Sequence, residues 1–102
     1  MASHENELSE FDRAAEAVVA LGNRLLEEDS EADAWDVASG LLAGAVQFWL
    51  YTRQPCGDPF CESCAEVGTA DRRLKQLLDE TRQSAEESEY FHSPQDTNAG
   101  TA

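Results

Sequence analysis

Three cysteines fall within nine residues, Cys56-Gly57-Asp58-Pro59-Phe60-Cys61-Glu62-Ser63-Cys64, and they are the chain's densest set of reactive side chains. A helical turn opening at Pro59 would set Cys61 and Cys64 one turn apart on one face, with Cys56 folded back just outside it. Three sulfurs then converge on one ion. Soft thiolates favour zinc or iron, and a structural zinc closes its tetrahedron with four protein ligands. The motif supplies three. His92 is the expected fourth ligand; His4, Asp58, water, or a second loop contributed by a two-fold partner are the other sources.

The same C-x4-C-x2-C spacing resembles the first part of the plant-type [2Fe–2S] ferredoxin ligand pattern, whose distant fourth cysteine this chain lacks. The resemblance implies iron or an iron–sulfur cluster as the alternative to zinc. A second chemistry is thiol redox, with Cys61-Glu62-Ser63-Cys64 as a C-x-x-C dithiol at a helix N-terminus, where the dipole lowers a thiol pKa. Asp58, Glu62 and Glu66 oppose this, because negative neighbours disfavour a thiolate, and no lysine or arginine follows Arg53 in the loop. A bound cation would supply the missing positive charge. The plainest reading is that the cysteines are small apolar residues under a helix junction.

Glu89-Tyr90-Phe91-His92 has the Glu-x-x-His spacing of di-iron carboxylate bundles, but Val37–Thr52 carries no carboxylate to complete such a site, and a frayed, solvated helix end is the expected outcome. With both histidines near the ends, no Cys-His or Ser-His-Asp pair can be placed on a rigid frame. There is no phosphate-cradling loop, no dinucleotide fingerprint and no H-E-x-x-H. An enzyme is therefore the less favoured class.

The elements that must position the cysteines are helical. Phe11, Ala14, Val18, Leu21 and Leu25 recur every three or four residues among charged neighbours, giving an amphipathic helix over about 8–28. A second helix is expected from Ser30, answered by Asp33 in a capping box, to about Arg53 before Pro55. It has two apolar sides. Trp35, Ala38, Leu42, Ala45 and Trp49 line one, and Val37, Leu41, Gly44, Phe48 and Tyr51 the other, so it must be covered on both. Its rings read as core rather than as a cofactor platform. The first and third helices cover one side and part of the other, and a second copy of the chain is the simplest source of the rest. Gly40 and Gly44, with small neighbours, would let another backbone approach, so Trp35, Leu42, Trp49, Gly40 and Gly44 are the expected interface. Asp58-Pro59 opens a short helical turn over Phe60–Glu66, Gly68 interrupts it, and Thr69 starts a third helix with Ala70, Leu74, Leu77, Leu78, Thr81 and Ala85 inward.

The expected organisation is an all-α fold, a small three-helix bundle or a helical hairpin plus a third helix, completed by dimerisation. Residues 7–92 form one domain containing the cysteine loop 54–66, between a flexible N-terminus 1–6 and a disordered tail 93–102. With 21 acidic residues against 7 basic ones, nucleic acid and anionic membrane are excluded as natural partners; a homodimer, a larger protein complex or a basic protein surface remain. The opening residues show no secretory signal, and the uncharged stretch Val37–Thr52 is shorter than the ~20 residues that span a bilayer. A reducing, cytoplasmic setting is expected, where three clustered cysteines favour metal over disulfide. The functional expectation is a non-enzymatic acidic accessory protein that self-associates and binds a metal through the cysteine loop. The alternatives are a thiol-redox protein or small enzyme subunit, and an interaction module or acidic decoy with inert cysteines.

Overall fold

The computed structural model describes residues 8–58 and 60–96. Its elements are α1 (Glu10–Glu28), α2 (Ala34–Thr52), a 3-10 helix (Glu62–Val67) and α3 (Ala70–Glu87), with no strand among the described residues. The fold is all-α, as the periodicity requires. The expected loose segment 1–6 lies outside the described residues, as does the tail beyond Asp96. Within that expected tail, residues 94–96 are helical, and the Ser93 N–H donates to Asp96 Oδ2 at 2.9 Å.

The chain divides into two compact units, Met1–Trp49 and Leu50–Ala102. In the first, α1 starts on Ser9, whose Oγ accepts from the Asp12 N–H at 3.0 Å and donates to the Asp12 carboxylate at 3.0 Å. One orphan donor of the first turn is thereby satisfied. At the other end Asp29 takes the Glu31 N–H on its side chain and the Ala32 N–H on its carbonyl, both at 3.0 Å. That turn uses up Ser30, which does not cap α2 as expected. Asp33 does so instead. Its Oδ1 accepts from the Trp35 N–H at 3.0 Å and its carbonyl from the Val37 N–H at 2.9 Å. The chain needs Asp29–Ala32 to reverse direction, so the helix opens one good cap later.

Where α1 meets α2, Leu41 Cδ1 lies 3.0 Å from the point a Cβ on Gly22 would occupy. Gly22 thus sits at a close approach between the helices. Val18, Leu26, Val37, Leu41 and Ala45 line the apolar groove there, about 420 Å³. No described residue is fully buried: Trp35 is 85% exposed, Phe11 72% and Leu42 59%. Of the rings expected in a core, Trp35, Phe48 and Tyr51 are exposed on the single chain and Trp49 is half-buried. Nothing lies within 4 Å of a Cβ built on Gly40 or Gly44, so the close packing expected there is not made within the chain.

In the second unit the 3-10 helix packs against α3. Thr69 caps α3, its Oγ1 accepting from the Arg72 N–H at 3.1 Å, and Gly68 ends the 3-10 helix just before it. Both follow the expected punctuation. No described helix is long and apolar enough to cross a membrane.

Candidate metal centre

The loop that carries the cysteines begins where α2 runs out. Gln54 Nε2 donates to the Leu50 carbonyl at 2.9 Å, satisfying one of the last-turn acceptors, and Arg53 reaches Glu80 of α3 at 3.5 Å. Pro55, which has no N–H, then forbids further helix. Gly57 turns the chain with φ +96°, a region that L side chains rarely adopt. Asp58 closes a tight turn, its side chain accepting from the Phe60 N–H at 3.0 Å and its carbonyl from the Cys61 N–H at 3.1 Å. The helical turn expected over Phe60–Glu66 is a 3-10 helix that opens at Glu62; Cys61 stands at its N-cap position without a side-chain capping bond, and the Cys64 N–H donates to the Cys61 carbonyl at 3.3 Å. Three residues make one turn of such a helix, so side chains at this spacing eclipse.

The result is a gathered set of free thiols. The Sγ atoms of Cys56, Cys61 and Cys64 all lie within 4.8 Å of one another. A zinc ion ~2.3 Å from each sulfur would hold them about 3.8 Å apart, so contraction of at most ~1 Å per pair converts the set into three ligands. Three cysteines here can hold a metal ion. Cys61 and Cys64 are half-buried, Cys56 is exposed.

The loop differentiates its sulfurs. The Cys61 thiol is lowered to about 6, first by the hydrogen bond with the Ser63 hydroxyl at 3.2 Å and then by Cys56 and Cys64. For Cys64 the Cys56 N–H, 3.4 Å from its sulfur, pulls the pKa down. The neighbouring thiols of Cys61 and Cys56, with partial desolvation, outweigh it, and the net shift is upward. One proton leaves the cluster easily and the next is held, as expected of interacting sites.

Among the described residues no histidine or carboxylate joins the three sulfurs. His92, the expected fourth ligand, sits in the turn after α3 with its ring edge-on to Phe91, centroids 4.8 Å apart. Because α3 ends at Glu87, Glu89 and His92 do not share a helix face, and the Glu-x-x-His pattern makes no site. His4 lies outside the described residues. The expected interface residues Trp35, Gly40, Leu42, Gly44 and Trp49 all stand on α2, Trp49 half-buried and the others exposed.

Sequence reasoning missed two arginines. Arg72 Nη1 donates to the Ala65 carbonyl at 2.8 Å and Arg73 Nη1 to the Val67 carbonyl at 2.9 Å, so α3 fastens the end of the 3-10 helix. Gln76 adds a bond to Glu66 at 3.2 Å. Arg72 also lines a cavity of about 430 Å³ with Cys61, Cys64, Asp58 and Thr69. Counting charges along the loop finds only acids. In space, α3 places a cation on the same cavity as Cys61 and Cys64. The signal was its position three residues after a threonine cap, which points it back over the preceding turn. No protein-family model, no curated protein and no solved structure matches the chain.

Proposed function

We propose that the protein is a non-enzymatic accessory protein that holds a zinc ion through Cys56, Cys61 and Cys64 and self-associates through α2. The observation that carries the metal reading is the mutual approach of three free sulfurs to within 4.8 Å in a loop of nine residues. Zinc suits a thiolate-rich set without needing a redox partner or a particular d-electron geometry. Elemental analysis of protein purified anaerobically without added metal, with an absorption spectrum, is the test. About one zinc per chain supports it, iron with visible absorption substitutes the cluster reading, and neither metal above background overturns both.

Self-association is supported by the single chain's lack of any buried residue among those described and by exposed Trp35 and Leu42 on a helix with one charge, Asp36. Apolar area of this kind is what association removes from water. Light scattering at micromolar concentration should return more than one subunit, and Leu42→Glu should shift the mass toward the monomer. A wild-type monomer would refute this part alone.

The lowered Cys61 thiol favours a second reading, a redox dithiol cycling between Cys61 and Cys64. It requires a disulfide between them with a potential in the cytosolic range, and thiols that remain reduced across that range would rule it out.

A further inference from the structure

We propose that the fourth ligand of the metal comes from outside the chain, as a small carboxylate seated in the cavity beside Cys61 and Cys64 with Arg72 as its counter-charge. This rests on the metal reading above. Three sulfurs leave a tetrahedral ion one position, and among the described residues no histidine or carboxylate joins the three sulfurs to fill it. Cys61 and Cys64 line a cavity of about 430 Å³, which has room for a small organic anion.

The charged group that shares this cavity defines the ligand. Arg72 is the cation there, held in place by its Nη1 bond to the Ala65 carbonyl at 2.8 Å, with further guanidinium N–H groups left to donate. Asp58 is itself an anion, and Thr69, whose Oγ1 accepts from the Arg72 N–H, keeps a hydroxyl hydrogen that can donate to the carboxylate beside Arg72. One fixed guanidinium matches one negative charge. A carboxylate can place one oxygen on the ion, displacing water, and the second toward Arg72, the planar pairing to which guanidinium is suited. Asp58 on the cavity wall, with Glu62 and Glu66 nearby in the loop, disfavours more highly charged anions such as phosphate.

The test uses the full chain loaded with cobalt(II), whose visible spectrum reports coordination, titrated with sodium acetate at constant ionic strength. Acetate should change the visible bands saturably, with one chain per cobalt. Arg72→Gln should weaken acetate at least about tenfold while the thiolate-to-cobalt band persists, and Arg72→Lys should restore part of the loss. Arg73→Gln, which breaks the neighbouring tether to Val67 without facing the cavity, should leave acetate affinity unchanged. Spectra indifferent to acetate, or equal affinities for wild type and Arg72→Gln, overturn the inference. So do an acetate-free spectrum altered by His92→Gln or His4→Gln, and two chains per cobalt, since each assigns the fourth ligand to the protein. Absence of the thiolate-to-cobalt band is distinct from all of these and overturns the metal reading and the inference together.

Discussion

Replacing Gly57 by alanine tests whether the loop conformation itself assembles the sulfurs. Gly57 holds φ +96°, and nothing lies within 4 Å of the Cβ that alanine would add. Any effect is therefore conformational, with no steric clash to confuse it. Placing an L residue in the left-handed region costs roughly 1–2 kcal/mol, which glycine avoids. That strain falls on the conformation that folds Cys56 back over Cys64, and hence on the metal-bound state. At 1.4 kcal/mol per tenfold, metal affinity should fall by about 5- to 30-fold. Competition against a chromophoric chelator at fixed pH measures it directly. Gly57→Asn should recover much of the loss, because asparagine tolerates this region better. Helical content should not change, since Gly57 lies outside every helix. Equal affinity in the wild type and Gly57→Ala would show that the ion does not need this turn, and that the approach of the three sulfurs is not the binding geometry.

Thr69→Ala removes the cap of α3 and should lower stability by about 1 kcal/mol in urea denaturation, provided that the second unit unfolds in one transition. Arg73→Ala removes a tether to the Val67 carbonyl, and hydrogen exchange of the 3-10 helix amides should quicken with α3 protection nearly unchanged. Cys61 loses its proton near pH 6 in the folded loop against 9.0 for the ordinary thiol. Its contribution to stability is therefore complete above pH 9 and is lost as pH falls through 6. In the metal-free protein, iodoacetamide should label Cys61 before Cys64, with a midpoint near pH 6 that rises in Ser63→Ala; equal labelling of the two would contradict the assigned difference.

The parts of this fold that could be read in advance are those decided within one helical turn. The apolar repeat from Phe11 to Leu25 specified α1, Pro55 the end of α2, and Gly68-Thr69 the junction before α3, because each depends on neighbours a few residues away. Ser30 and Asp33 competed for one role. Asp29, by engaging the amides of Glu31 and Ala32, settled it in favour of Asp33, and no single-residue preference contains that information. The cysteine spacing foretold that the sulfurs would gather, through a helical turn with Cys56 folded back, but not that the turn would be 3-10 and open only at Glu62 or that Gly57 would bend the chain at positive φ. It did not reveal Arg72, whose relation to Cys61 and Cys64 exists only once α3 packs on the 3-10 helix. His92 illustrates the reverse. Its donor chemistry was suitable, but a ligand must also be carried to the ion by the fold, and α3 stops five residues short of it.

The tethers from Arg72 and Arg73 have a kinetic consequence. They hold the far end of the 3-10 helix, at Ala65 and Val67, through bonds between protein groups alone, so the order of that segment does not depend on an ion. In zinc fingers the ion is bound by folding around it, and release means unfolding. Here that segment is anchored to α3 by the chain's own bonds. An ion held there as proposed would leave by ligand dissociation, without the unfolding that release from a zinc finger requires.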